Sequence, residues 1–134
     1  MILLQVMSSA DEIPIKIEIF GLGVLEGIII RHISPISADI ILDKMLFTLR
    51  GRFDFGNNTI WTLSNAGIRK GPDPKAGKNV EKGDIIYNPK TDEISIILED
   101  QEMPNKVNKI GKITKNLDLL SKAKNGLNNK FSKI

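Results

Sequence analysis

The chain has 134 residues, of which 41% are hydrophobic and 26% are charged. This length fits one compact domain, and the apolar content excludes a wholly disordered chain. The absence of Cys excludes disulfides, thiolate catalysis and sulfur-ligated zinc. The single His, His32, excludes a multi-histidine metal site and is predicted to be a hydrogen-bonded structural residue. We therefore predict no metal and no cofactor.

Charge is unevenly distributed along the chain, whose formal net charge is +3. Residues 104–134 contain 8 Lys and a single acidic residue, Asp118. Such a lysine-rich end can attract nucleic acid through counterion release. Base stacking needs aromatic side chains between the cations, however, and Phe131 is the one aromatic residue of this segment. The composition favours solvated lysines over a nucleic-acid partner, and nucleic-acid association is kept as an alternative function.

The first third of the chain predicts a β-hairpin followed by a helix. Every second residue over 13–19 is Ile, which is typical of a strand with one buried face. A Gly-Leu-Gly turn and an apolar run over residues 24–30 predict the second strand of the hairpin. Ser34 and Pro35 are residues that favour a helix start, and apolar residues at helical spacing predict a helix from Pro35 to about Met45.

The central part predicts a second hairpin and a loop. Residues 47–55 alternate apolar and polar side chains, with Arg50 and Arg52 on the polar face. A Gly-Asn-Asn turn leads into a strand over residues 59–63. Gly and Pro interrupt residues 64–83, where five residues are Lys or Arg. We predict a long mobile surface loop there, of a length that often serves binding.

The last part predicts further strands and a short helix. Residues 84–87 and 94–98 are short apolar runs that predict a hairpin buried on both faces. Residues 107–114 are ambiguous, because apolar residues three apart fit a helix whereas β-branched residues and a glycine favour a strand. Leucines after Asn116 predict a short helix, and residues 127–134 predict a final strand.

Two helices among about eight strands predict a mostly β protein, a closed antiparallel barrel with a short helix at each end. We assign residues 1–12 to an N-terminal arm and residues 13–134 to the barrel domain. The apolar start has no preceding basic residue and is too short for a signal peptide or a membrane span. We therefore expect a cytoplasmic protein without a membrane partner, and the sequence does not indicate its oligomeric state.

Three segments, in a fixed order, carry a resemblance to a known family. They are the first hairpin with Ser34-Pro35 and its helix, residues 83–89 (Gly-Asp-Ile-Ile-Tyr-Asn-Pro), and residues 110–113 leading into residues 117–120. This order resembles the cyclophilins, and most closely the small, poorly characterised cyclophilin-like proteins of archaea and bacteria. The resemblance implies a cyclophilin-like barrel and, for true cyclophilins, isomerisation of the prolyl peptide bond.

The resemblance also implies a set of candidate catalytic residues. Rotation about an amide bond has a barrier of about 18–20 kcal/mol, which a cationic donor near the prolyl nitrogen lowers. In the family this donor is an Arg on the strand after the first helix, with a Phe and a Gln five and eight residues later. Arg50, Phe55 and Asn58 have that spacing, with Asn in place of Gln. Arg52, on the same strand face, is the alternative donor.

The other half of the family's pocket is absent. True cyclophilins carry a Trp-Leu pair and a His before the strand that corresponds to residues 107–113, where this chain has Glu102, Met103 and Val107. Aliphatic residues replace the Phe expected within residues 94–98, and they offer little stacking surface to a proline ring. We therefore expect a binding or accessory protein that has lost ordinary isomerase activity. A weak isomerase that uses Arg50 or Arg52 is the alternative.

The predicted binding groove lies between the strand over residues 47–55 and the basic loop over residues 64–83. We expect it to bind a peptide or a small molecule. Its candidate ligand-binding residues are Trp61, Tyr87, Arg69 and Lys70. Trp61 and Tyr87 lie in predicted strands, so each is either a core residue or a pocket residue. Arg69 and Lys70 are cations of the loop.

Overall fold

The computed structural model describes residues 11–54 and 57–134. Within them the chain forms nine β-strands, one α-helix and one 3-10 helix. The strands are β1 (Glu12–Ile19), β2 (Gly23–Ile30), β3 (Phe47–Asp54), β4 (Asn57–Leu63), β5 (Gly77–Val80), β6 (Asp84–Asn88), β7 (Glu93–Ile97), β8 (Gln101–Lys115) and β9 (Asn128–Lys133). The helix α1 is Pro35–Lys44, and the 3-10 helix is Leu117–Lys122.

Eight of these strands close into an antiparallel barrel. Their order is β1-β9-β3-β4-β7-β6-β8-β2, and β2 pairs with both β8 and β1, which completes the circle. The remaining strand, β5, pairs with the first half of β8 outside the barrel. The predicted closed antiparallel barrel of about eight strands with two helices is confirmed.

The interior of the barrel is filled with side chains. Successive side chains of β1 point to opposite faces of the strand, which places Ile15, Ile17 and Ile19 inside the barrel. Each of them is at most 1% exposed. The largest fully buried side chains are Trp61, Tyr87 and Phe131. An eight-stranded barrel is just wide enough for such side chains to fill it. A ligand therefore has to bind on the outside of the barrel or at one of its ends.

Two glycines allow the strands β2 and β8 to meet. A Cβ atom at Gly111 would lie 2.2 Å from the backbone oxygen of Ile28, and one at Gly27 would lie 2.6 Å from that of Lys112. The register of the pair also shifts between Glu26 and Gly27. Atoms this close overlap, so a side chain at either position would push the two backbones apart.

The two helices close opposite ends of the barrel. The helix α1 connects β2 to β3 and buries Ala38 and Ile41 in the core. It starts at Pro35 as predicted and ends at Lys44. The 3-10 helix connects β8 to β9 at the other end, where Leu120 is fully buried. Within residues 11–54 and 57–134, no helix has the length and hydrophobicity needed to span a membrane.

A flap formed by β5 and the first half of β8 covers part of the outer surface. A second apolar cluster lies beneath it, and its buried members are Val80, Ile86, Ile97, Met103 and Val107. Because the barrel core lies on one face of β6 and β7 and this cluster on the other, both strands are buried on two faces, as predicted.

Two predictions about the chain after β4 need correction. Residues 64–83 are not one loop, since they contain β5, whose largely exposed side chains show no alternation in hydrophobicity. The ambiguous residues 107–114 belong to β8, which begins earlier, at Gln101. Charged residues and Pro104 concealed this first half of β8 in the sequence. Every other predicted strand and helix agrees with the structure to within two residues. Residues 1–10 of the predicted N-terminal arm, Phe55 at the end of its predicted strand and Gly56 of the predicted turn lie outside the described residues.

We predict that Gly111→Ala lowers the free energy of unfolding by about 3 kcal/mol, because the added methyl group overlaps the backbone oxygen of Ile28. Gly77→Ala is the matched control, since a Cβ there has no neighbour within 4 Å, and it should change stability by less than about 1 kcal/mol. Urea unfolding followed by Trp61 fluorescence measures both values. Equal, small effects would contradict the close approach of β2 and β8.

Candidate functional site

A cavity of about 540 Å³ lies on the outer surface of the barrel. The outer faces of β3, β4 and β7 form one side of it, and residues 101–105 of the flap form the other. We call this cavity the outer groove. Its lining residues are Arg52, Asp54, Asn57, Ile60, Thr62, Asn88, Lys90, Thr91, Glu93, Ser95, Gln101, Glu102, Met103, Pro104 and Asn105.

The two-residue period of the strands determines which side chains reach the outer groove. On β4, Trp61 and Leu63 face the core, so Thr62 between them faces outward. On β7, Ser95 lies between two core isoleucines and faces the same way. The strand register places Thr62 opposite Ser95, and their hydroxyl oxygens are 3.5 Å apart. The floor of the outer groove is therefore polar at a point where both Thr62 and Ser95 are buried.

Four amide side chains border the outer groove: Asn57, Asn88, Gln101 and Asn105. The Asn105 amide donates a hydrogen bond to Asn88 Oδ1 at 2.9 Å. The Gln101 amide donates to the hydroxyl oxygen of Thr59 at 3.0 Å. Each amide carries both donors and an acceptor. The NH2 groups of Gln101 and Asn105 already donate within the protein, so these two side chains offer their oxygens to a ligand.

Arg52 lies in the outer groove as part of an ion pair. Its Nη2 atom is 2.9 Å from Glu93 Oε2, and its Nη1 atom donates to the Ser64 hydroxyl. The Arg52 side chain is 40% exposed and that of Glu93 is 16% exposed. A partly buried carboxylate thus offsets the charge of the guanidinium. The guanidinium is therefore a weaker donor toward a prolyl amide than an unpaired arginine would be.

The described candidate catalytic residues do not come together in one site. Arg50 is exposed on the same face of β3 as Arg52, but it does not line the outer groove. Asn58 is exposed on β4 and does not line it either. Phe55 lies outside the described residues. Arg52 is thus the one described member of the candidate set that reaches the outer groove.

Trp61 and Tyr87 belong to the barrel core, not to the outer groove. Both are 0% exposed, because they lie on the inward faces of β4 and β6. Trp61 donates its indole N–H to Asn129 Oδ1 at 3.0 Å, and Tyr87 donates its hydroxyl to Asp92 Oδ1 at 2.6 Å. The sequence left open whether Trp61 and Tyr87 are core residues or pocket residues. The structure shows that both are core residues.

The segment over residues 64–76, predicted to be mobile, is anchored to the β6–β7 turn by Asp92. The carboxylate of Asp92 accepts hydrogen bonds from the backbone N–H groups of Gly67, Ile68 and Arg69, at 2.8–3.0 Å. Lys70 donates its backbone N–H to the Tyr87 hydroxyl and pairs through its ammonium with Asp73. Arg69 and Lys70 are therefore engaged in fixing this segment.

The basic segment does not form a wall of the outer groove, contrary to the predicted position of the binding site. Instead, Gly71 and Pro72 border a second depression of about 260 Å³. This depression shares Lys90 and Asn105 with the outer groove, so the two cavities adjoin. The actual second wall, residues 101–105, comes from a part of β8 that the sequence did not identify as a strand.

The ionisation of Asp92 and Tyr87 fits this anchor. Burial on its own raises the pKa of Asp92, but hydrogen bonds from the Tyr87 hydroxyl and the three backbone N–H groups outweigh it and hold that pKa below its ordinary value. Burial and the bond to Asp92 raise the pKa of Tyr87. Both shifts favour the state in which the carboxylate is ionised and the phenol is protonated.

The C-terminal lysines are partly compensated by acidic neighbours. Lys109 lies 3.0 Å from Asp84, and Lys115 lies 3.9 Å from Glu26. Lys130 lies opposite Glu18 in the strand register. Association with nucleic acid through these residues stays a prediction.

Among the described residues there is no group of three or more His, Cys, Asp or Glu that could hold a metal ion. His32, the one histidine, hydrogen-bonds to the carboxylate of Asp11 through Nδ1. This hydrogen bond agrees with the prediction that His32 is a hydrogen-bonded structural residue.

Sequence reasoning missed most of the outer groove, including Thr62, Ser95, Met103 and Asn105. One signal was available, because Ser95 is a polar residue inside a run of isoleucines that was predicted to be buried on both faces. The remaining members come from strands distant in sequence, and only the register of those strands brings them together.

We predict that Asp92→Asn lowers the free energy of unfolding at pH 7 by about 1–3 kcal/mol, because charge-assisted hydrogen bonds to the segment over residues 64–76 are lost. Since the pKa of Asp92 is lowered on folding, its contribution is full above the unfolded value and is lost as the pH falls through the folded value. Urea unfolding between pH 7 and pH 2 should therefore show a shallower acid loss in the variant. Asp43→Asn, on the exposed face of α1, is the control and should keep the wild-type pH profile.

No family model matches the chain, and the curated proteins contain no match. Two solved structures are similar in fold. The hypothetical protein AF2241 from Archaeoglobus fulgidus superposes with a TM-score of 0.72 and 17% identity, over 92% of this chain and 96% of that one. McbB, solved in complex with tryptophan, superposes with a TM-score of 0.71 and 10% identity, over 87% of this chain and 43% of McbB. At these identities the similarity is one of fold alone.

Proposed function

We propose that the protein is a cyclophilin-like binding or accessory protein that holds an extended peptide in the outer groove and lacks ordinary prolyl isomerase activity. The amide-bordered outer groove is the observation that carries this proposal. Because the barrel interior is filled by its own side chains, a peptide has to lie on the outside. The helix at each end of the closed barrel supports the cyclophilin-like part of the proposal.

The shape of the site favours an extended ligand. The outer groove adjoins the second depression at Lys90 and Asn105, which lengthens the available surface. An extended peptide exposes alternating backbone donors and acceptors along its whole length. On the flap side the side-chain oxygens of Gln101 and Asn105 can accept from its N–H groups, and on the β4 side the Asn57 amide can donate to its carbonyl groups.

The outer groove also offers a small apolar area. Ile60 and Met103 belong both to its lining and to the apolar cluster beneath the flap. Met is unbranched and adapts its shape to different partners. We infer that one side chain of the peptide packs against Met103 while its backbone bonds to the amide border.

Two features argue against catalysis in the outer groove. Arg52 is held by Glu93 at 2.9 Å, so its charge is offset before a prolyl amide arrives. Among the described residues, the lining includes no aromatic side chain that could stack on a proline ring. Both features favour binding over rotation of a peptide bond.

We predict that a pool of capped random hexapeptides shifts the amide NMR signals of Ser95, Met103 and Asn105. Arg52→Ala should weaken this binding about tenfold. Glu93 offsets the charge of the guanidinium, but the group has five N–H donors, and one that its protein partners leave over can donate to a peptide carbonyl; its loss costs about 1.4 kcal/mol. Arg50→Ala is the matched control, because it removes the same side chain from the same strand face outside the outer groove. It should leave the affinity unchanged.

Free tryptophan is the second probe, because McbB was solved with this ligand. If tryptophan shifts the same signals and the peptide pool does not, the ligand is a small molecule and the peptide proposal is wrong. If neither probe moves these signals at millimolar concentration, or if both arginine variants weaken binding equally, the outer groove is not the binding site.

We predict that the protein does not accelerate the isomerisation of a proline-containing tetrapeptide anilide in a protease-coupled assay, because Glu93 offsets the charge of Arg52. Glu93→Gln removes the closer of the two carboxylates that pair with Arg52, the other being Asp54 at 3.5 Å, and tests whether this ion pair suppresses the activity. Wild-type catalysis that disappears in Arg52→Ala and persists in Arg50→Ala would establish the weak isomerase alternative instead.

A further inference from the structure

We propose that a second site, at the end of the barrel closed by the 3-10 helix, binds a small organic anion with an apolar body. A cavity of about 450 Å³ lies there, between the end of β8, the 3-10 helix and Leu98 after β7. This volume is within the range of small-molecule sites, about 300–1,000 Å³. It shares no lining residue with the outer groove, so it is a separate site.

One side of this cavity is apolar. Leu98, Ile113 and Leu117 line it, and Leu98 and Leu117 are only half-buried although they pack against the barrel core. A ligand that covered these two leucines would remove their exposed surface from water, which is favourable. The ligand therefore needs an apolar body.

The neutral polar side chains of the cavity already use their hydrogens within the protein. The Thr114 hydroxyl donates to the backbone oxygen of Glu26 at 3.2 Å, and the Asn116 amide donates to that of Val24 at 3.0 Å. The Ser121 hydroxyl donates to the backbone oxygen of Asp118 at 2.8 Å. These bonds fix the rim of the cavity between β2, β8 and the 3-10 helix, so the site is formed before any ligand arrives.

The charged groups of the cavity decide the sign of the ligand. Lys82 and Lys115 line it together with one acid, Asp118, so the lining side chains themselves carry an excess of one positive charge. Asp100, outside the lining, accepts a hydrogen bond from the backbone N–H of Lys82. The Lys115 side chain is 68% exposed, and its ammonium is 3.9 Å from Glu26, at the outer limit of an ion pair. Such a contact between exposed groups is weak. An anionic group at the rim would gain two ammonium partners.

Octanoate and octylammonium are suitable probes, because they carry the same alkyl chain with opposite charges. In an NMR titration of the full chain, octanoate should shift the amide signals of Ile113, Asn116 and Ser121 and saturate at millimolar concentration. Octylammonium should shift these signals at least fivefold more weakly. Equal binding of the two probes, or octanoate shifts confined to other parts of the protein, would overturn the proposal.

Charge-removing variants test the two lysines. The double variant Lys82→Gln with Lys115→Gln should weaken octanoate binding at least fivefold. The matched double variant Lys130→Gln with Lys133→Gln removes the same charge from β9, away from the cavity, and should bind as the wild type does. Equal weakening in both double variants would assign the effect to net charge and overturn the site.

Discussion

The close approach of β2 and β8 at Gly27 and Gly111 is the constraint on which the rest of the structure depends. These strands are the two that must meet for the sheet to close, and their backbones come so near that a side chain at either glycine would overlap a carbonyl oxygen. Closure leaves the eight barrel strands without a free edge. It also directs the inward side chains of all eight strands into one core, which Trp61, Tyr87 and Phe131 fill.

The buried side chains of the described residues fill the barrel interior, so the proposed function places the ligand on the outside. The flap of β5 and the first half of β8 crosses the outer face of β6 and β7, and the outer groove is the space left between this flap and the neighbouring strands. Thr62 and Ser95 keep that space polar, although their neighbours along the strands, Trp61 and Leu63 on β4 and Ile94 and Ile96 on β7, are buried and apolar. At one end of the closed barrel lies the 3-10 helix, and the cavity of about 450 Å³ lies between this helix and the end of β8.

The sequence predicted the barrel well because its strands follow local rules. The alternating isoleucines of β1 and the Ser34-Pro35 helix start need no information from distant parts of the chain. The first half of β8 escaped prediction because its pairing with β5 depends on register, which local hydrophobicity does not encode when the strand is largely polar and contains a proline. The family spacing pointed to Arg50, with Arg52 as the alternative on the same outer face of β3. The tertiary structure separates the two arginines: Arg52 pairs with Glu93 on β7 and lines the outer groove opposite the flap, whereas Arg50 does not line it.

We propose that this closed, filled barrel binds its ligand on the outside, in the outer groove beside the flap. A crystal structure of the protein with the tightest-binding member of the hexapeptide pool tests this claim most directly. We expect an extended peptide beside Ser95 and Met103, with backbone groups bonded to the amides of Gln101 and Asn105, on a barrel in which β2 and β8 remain paired. A peptide lying inside an opened barrel, or bound as an added strand along a separated edge of β2 or β8, would contradict it.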